Sequence, residues 1–146
     1  NLDPIREMLQ SPHTVPGLGD AGAHCGMICD GSFPTYLLLH WGRDRERGAR
    51  LPVEWLVKRQ TADTADLVGL SDRGRIAPGQ LADLNLIAWD ELGLRPPEMA
   101  YDLPAGGKRL IQKASGYHRT WKSGQLTFAD GEATEALPGG LVRGAR

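Results

Sequence analysis

Long apolar runs are missing from this 146-residue sequence. None approaches the ~18 uninterrupted apolar residues that a membrane helix needs, and the opening Asn1-Leu2-Asp3-Pro4 has neither the basic nor the apolar part of a secretory signal. The expectation is a soluble, cytoplasmic protein with no membrane partner. Charge of one sign is lacking too: 17 Lys and Arg face 18 Asp and Glu, and no like-charge run marks an acidic tail or a nucleic-acid arm. Nucleic acid is therefore not an expected partner. Cysteine is scarce. Cys25 and Cys29 stand four apart, where a disulfide would close a very small, strained ring, so both read as reduced thiols. Aromatic residues make up 6% of the chain, and Trp41, Trp55, Trp89 and Trp121 are too scattered for a stacking platform and read as packing groups. Internal repeats are absent, and the start lacks an initiator Met, as if the sequence entered the middle of a fold.

What is plentiful is turn chemistry, with 19 Gly and 10 Pro spread without a period, as in a globular chain of one ordinary domain size. Asp3 before Pro4, with Ile5, Met8 and Leu9, predicts a short helix N-capped by Asp3 and ended by Ser11-Pro12. Residues 13–18 read as a short buried strand in which Pro16 requires an edge or bulge, leaving Asp20 where strand becomes loop. Ser32 and Pro34 predict a second helix, apolar from Tyr36 to Trp41 and stopped by Gly42 and the charged residues 43–48. A third helix is expected from Pro52 to about Val68, with Gly69 as its C-cap. From residue 73 the pattern turns to β. Residues 82–89 read as a strand covered on both faces, and residues 117–128 as a hairpin around Ser123-Gly124, with a second tight turn at Asp130-Gly131. Residues 95–107, with Pro96, Pro97 and Pro104, read as a long irregular loop.

Two stretches carry the chemistry: Gly17-Leu18-Gly19-Asp20-Ala21-Gly22-Ala23-His24, and downstream Gly74-x-Ile76-x-x-Gly79-x-x-Ala82-Asp83-Leu84. In this order they resemble the last part of a metal-dependent amidohydrolase. The segments Ser32-Phe33-Pro34 and Leu39-His40-Trp41 bring the resemblance closest to the N-acyl-D-amino-acid deacylase (D-aminoacylase) branch. The resemblance implies an α+β chain: the last strand and helices of a (β/α)8 barrel over residues 1–72, then strands of the accompanying β-sandwich over residues 73–146. It implies a C-terminal fragment of an enzyme that hydrolyses non-peptide C–N bonds, most simply those of N-acyl-D-amino acids or similar small acylated amines. Asp20 then ends a barrel strand, as the catalytic base and a weak metal ligand, taking a proton from metal-bound water and returning it to the leaving amine. His24 is the substrate-binding candidate. Zinc is the implied cofactor of the parent enzyme, but the family's H-x-H and further ligands would lie upstream, so this chain is not expected to retain metal or activity alone. The upstream barrel or a second copy is the expected macromolecular partner.

Plainer readings stand beside these. Asp next to Gly is common in turns for local reasons, and a lone C-x-x-x-C beside His24 and Asp30 is a weak metal signal, with buried thiols favoured. His40 reads as a core or interface histidine, and His13 and His118 have no companions at ligand spacing. Asp83 reads as a structural carboxylate accepting backbone N–H groups at the start of a strand. Arg43, Arg45, Arg47 and Arg50 offer a carboxylate clamp, but their interleaved acids favour a solvated connection. The competing function is a noncatalytic structural module that dimerises through its β half.

Overall fold

The polypeptide sorts by local propensity into helices before residue 68 and strands after residue 84, as a computed structural model shows for residues 1–17 and 19–143. It is an α+β arrangement with antiparallel sheets. Helix α1 spans Asp3–Gln10. Helix α2 spans Phe33–Tyr36 and continues without a break as a π-helix over Leu37–Asp44. Helices α3 and α4 span Val53–Gln60 and Ala62–Leu67. The strands are β1 Leu84–Ile87, β2 Gly93–Leu94, β3 Glu98–Leu103, β4 Gly107–Ile111, β5 Ala114–Ser115, β6 Tyr117–Lys122, β7 Gln125–Ala129 and β8 Glu132–Ala133. One sheet runs β1-β6-β7-β8, and the pairs β2-β5 and β3-β4 stand apart from it.

The core gathers around α2 and its continuation. Leu37, Leu38, Leu39 and Trp41 are buried with Leu51, with Leu56 at 0% exposure and with Leu92 at 2%. Three consecutive leucines are buried because this helix is enclosed on most sides, as its apolar composition predicts. Gly42 does not stop the helix. Its missing side chain instead admits Leu56 Cδ1 and Trp89 Cη2, which a Cβ there would meet at 3.1 and 3.2 Å. Leu92 carries the β half into this core, and Gly116 makes the approach possible, since a Cβ on it would lie 2.6 Å from Leu92 Cα.

Several expectations are corrected. Asp3 is not the N-cap: it sits inside the first turn of α1, donates its N–H to Asn1 Oδ1 at 2.9 Å, and turns its carboxylate to the buried Arg45. Residues 13–17 form no strand, and Leu18, the end of the expected one, lies outside the described residues. The long third helix is two helices, broken at Thr61, whose hydroxyl donates back to Val57 O at 2.8 Å and withdraws that carbonyl from the helical ladder. Strand β1 is short, and Leu86 is exposed, because a bulge after Leu86 and the turn Trp89–Glu91 swing the chain toward the core. The expected loop over 95–107 is largely the arm of a hairpin, β3 pairing with β4. Its prolines flank the strand rather than interrupt it.

Other expectations hold. Gly69, at φ +73°, closes α4 with the paired bonds Leu70 N–H to Ala65 O and Gly69 N–H to Asp66 O, at 2.9 and 3.2 Å. The β6-β7 hairpin turns on Ser123 and Gly124, both at positive φ, and β7-β8 on Asp130 and Gly131. A serine tolerates this conformation because Asp83 Oδ1 accepts its N–H at 2.8 Å and Lys122 Nζ at 3.0 Å. Burial acts to raise the Asp83 carboxyl, but the Ser123 N–H, Lys122 and Arg73 outweigh it and hold it below the ordinary carboxylate range.

Truncating Leu92→Ala is expected to cost about 2–5 kcal/mol, read as a fall in the urea midpoint with helical and sheet signals moving together. A second expectation follows from the depressed Asp83 carboxyl. Its contribution is complete above the unfolded value near ~4 and is lost as pH falls through the lower folded value. Urea midpoints at about pH 6 and pH 3 should therefore drop further in the wild type than in Asp83→Asn.

Candidate functional site

A segment rich in glycine cannot hold a side chain still by its own stiffness, so the surroundings of Asp20 matter. Residues 21–27 coil into consecutive turns, with Asp20 O accepting Ala23 N–H at 3.0 Å and His24 O accepting Met27 N–H at 2.7 Å. The coil is pinned to the β half where Leu110 N–H donates to Cys25 O at 2.6 Å. Asp20 itself is exposed, and its backbone N–H donates to Asp30 Oδ2 at 2.9 Å. Asp30 opens the short turn Asp30–Ser32 that leads into α2.

Asp20, Asp30, Cys29, Phe33 and Tyr36 line an open groove of about 590 Å³, with Leu94 and Gln112 from the β half on its other side. A second trough of about 480 Å³ shares Ile28, Cys29, Ser32 and Gln112 with it and extends to Cys25 and Arg109. Its far wall is the β3-β4 hairpin, where Arg109 pairs with Asp102 through two bonds of 2.8 and 2.6 Å. That pairing holds the Asp102 carboxyl below its usual range. Ser32 and Gln112 are joined by a side-chain bond of 2.5 Å, which ties the start of α2 to the residue after β4.

Asp20 is thus brought to a groove, while His24 is not: it sits exposed on the turn at φ +48° and lines neither cavity. Both cysteines are free thiols, Cys25 exposed and Cys29 half-buried. His40 is half-buried and stacked on Tyr36, ring centroids 5.3 Å apart, with its other face at the edge of Trp41, so it is a packing histidine as expected. The arginine run is no clamp, and it is a solvated connection only in part: Arg47 and Arg50 are exposed in an irregular segment, whereas Arg43 and Arg45 are drawn inward. Arg43 donates to Trp89 O and Leu92 O at 2.9 and 2.8 Å, and Arg45, 3% exposed, lies over the Trp41 ring. Sequence reasoning placed Asp30 only as a neighbour of the cysteines and passed over Tyr36 and Gln112 as site residues. No spacing in the sequence signals Asp30, because its approach to Gly19 and Asp20 is made only in the folded chain.

A metal ion needs three or four converging ligands. Among the described residues no three His, Cys, Asp or Glu side chains are grouped to supply them, and the Asp30 carboxylate of this groove is committed to a backbone N–H. These residues do not by themselves fit a metal. What the arrangement offers is two exposed carboxylates, Asp20 and Asp30, beside a partly apolar groove, on a loop tied to the turn before α2.

The amidohydrolase family profile matches residues 1–128. An allantoinase from Streptomyces avermitilis is 35% identical over 96 residues, which are 65% of this chain and 21% of that protein. The match thus spans about a fifth of the relative's length. No solved structure matches.

The exposure difference between the two thiols sets an expectation for reactivity. A thiol reagent applied to the native protein should modify Cys25 in a fast phase and Cys29 more slowly, and Cys25→Ser should remove the fast phase alone.

Proposed function

This chain belongs to the amidohydrolase family, and on that premise we propose that it is the C-terminal part of a metal-dependent hydrolase of non-peptide C–N bonds, acting on N-acyl-D-amino acids. The observation that carries the reading is the position of Asp20, within the family match and at the edge of a groove large enough for a small acylated amine. The kinship with a protein named allantoinase supports the bond class rather than the D-amino acid. Residues 1–72 would then be the end of a (β/α)8 barrel and residues 73–146 a β-sandwich segment. The free cysteines suit a cytoplasmic setting.

In this reading Asp20 is the general base. Water attacks the amide carbonyl carbon as its proton passes to the Asp20 carboxylate; the C–N bond then breaks as that proton reaches the departing nitrogen, leaving a carboxylic acid and an amine. His24 would contact substrate from the neighbouring turn if the loop closes over the groove. Family members are generally metal-dependent, and we assign the zinc of the whole enzyme to ligands outside this chain, which on its own would not retain it. The proposed macromolecular partner is the remainder of the barrel or a second copy, over a surface where Ile76, of the family-like motif, is 90% exposed.

Two measurements test the proposal. Elemental mass spectrometry on the 146-residue chain should find zinc far below one ion per chain; a full equivalent that vanishes in Asp20→Ala would overturn the assignment of the ligands. In the full-length zinc-loaded protein, Asp20→Asn should lower kcat on an N-acyl-D-amino acid by about 10²- to 10⁴-fold with KM little changed. Unchanged kcat removes Asp20 as the base, and turnover of allantoin in place of the acylated D-amino acid removes the substrate assignment.

A further inference from the structure

We infer that Asp30 is the positioning residue for Asp20, holding the backbone of the base so that its carboxylate faces the groove; the inference rests on the proposed role of Asp20. The contact is specific. Asp30 Oδ2 accepts the Asp20 N–H at 2.9 Å across ten residues of chain. The carboxylate is seated directly on the residue before the base, since a Cβ on Gly19 would lie 2.8 Å from Asp30 Oδ2 and 2.9 Å from its Cγ. Any side chain at position 19 would push the carboxylate off the Asp20 amide.

The two ends of this bond differ in stiffness. Asp30 stands on the turn that enters α2, and within five residues the chain is bonded twice to the β half, by Ser32 to Gln112 at 2.5 Å and by Thr35 to Tyr117 at 2.8 Å. Asp20 is on an exposed glycine-flanked loop. A hydrogen bond to an ionised acceptor is about twice as strong as a neutral one, so the stiff partner sets the orientation of the loose one. A local role for Asp30, capping its own turn, is not what is seen: among the described residues its carboxylate bonds to the Asp20 N–H and not to the amides of residues 31–33. Misplacing a catalytic group by about 1 Å costs on the order of 10²-fold in rate, which makes such a bond matter to turnover without touching substrate.

The test uses the full-length zinc-loaded protein and four variants. Asp30→Ala should lower kcat by about 10- to 100-fold with KM changed less than about twofold. Asp30→Asn, whose side-chain oxygen can accept the same N–H, should recover most of the loss, and Gly19→Ala should reproduce it. Hydrogen–deuterium exchange of the peptide over residues 19–24 should quicken in Asp30→Ala and Gly19→Ala but not in Asp30→Asn. Should Asp30→Ala fail to fold, Gly19→Ala against Asp30→Asn carries the comparison. Equal losses in Asp30→Asn and Asp30→Ala, or unchanged kcat in Asp30→Ala while Asp20→Asn is inactive, overturn the positioning role and leave the base standing. An active Asp20→Asn overturns the base itself, and with it the inference.

Discussion

The packing of the two halves depends on arginines that rest against tryptophan and donate to backbone carbonyls. Arg43 grips Trp89 O and Leu92 O. Arg45 lies 4.5 Å over the Trp41 ring, donates to Arg47 O and pairs with Asp3. Arg59 lies 5.4 Å over the Trp55 ring, pairs with Asp63 and donates to Leu9 O and Thr14 O. The physical need is plain: irregular segments have carbonyls that no helix or sheet ladder satisfies, and leaving such groups buried and unpaired is costly. A guanidinium offers five donors in a fixed plane and stays charged at any ordinary pH, so it can serve two carbonyls while its face rests on an aromatic ring. Arg43 has the widest consequence. By fixing the turn at 89–92 it delivers Leu92 to the helical core, and through Leu92 the strands on either side are placed.

The site is downstream of that latch. Leu94 and Gln112, which complete the groove opposite Asp20, belong to the β half, whereas Asp30 and Tyr36 belong to α2 and the turn before it. The groove therefore exists only where the two halves are held in register. The bond from Ser32 to Gln112 repeats the logic at the groove itself, joining the residue before α2 to the end of β4. An exposed carboxylate on a glycine-rich loop becomes useful only on such a base, because the loop alone supplies neither packing nor ladder bonds.

What was legible in the sequence was local. The turns at Ser123-Gly124 and Asp130-Gly131 and the cap at Gly69 depend on backbone conformations that a few residues dictate, and they formed as read. What was illegible depended on partners distant in sequence. Arg43 and Arg45 look solvated when only their acidic neighbours are considered, and their inward packing follows from Trp41 and from a carbonyl forty-six residues away. The hairpin of β3 and β4 was hidden because prolines dominate composition there, although Pro97 lies before the strand and Pro104 begins its turn. The break at Thr61 is a competition between a hydroxyl and the helix ladder that periodicity does not register. The resemblance singles out Asp20 as a candidate, but nothing in the sequence singles out Asp30, because the bond between them closes a ten-residue loop that no spacing rule describes.

The groove at Asp20 and the trough at Arg109 share part of their lining. Ile28, Cys29, Ser32 and Gln112 line both, so the loop before α2 and the segment after β4 bound the two depressions together. The two depressions draw on different halves of the chain: Asp20 lies on the loop before α2, and the far wall of the trough is a hairpin whose exposed Arg109–Asp102 pair is screened by solvent and contributes little to stability. A hairpin joined to the rest by few core contacts is free to vary in sequence without disturbing the core around α2. The helical half has less freedom, since its arginines, tryptophans and leucines pack against one another. In the proposed reading, changes at the hairpin leave the core around α2 intact, whereas changes at Asp20 and Asp30 act on the proposed base and its support.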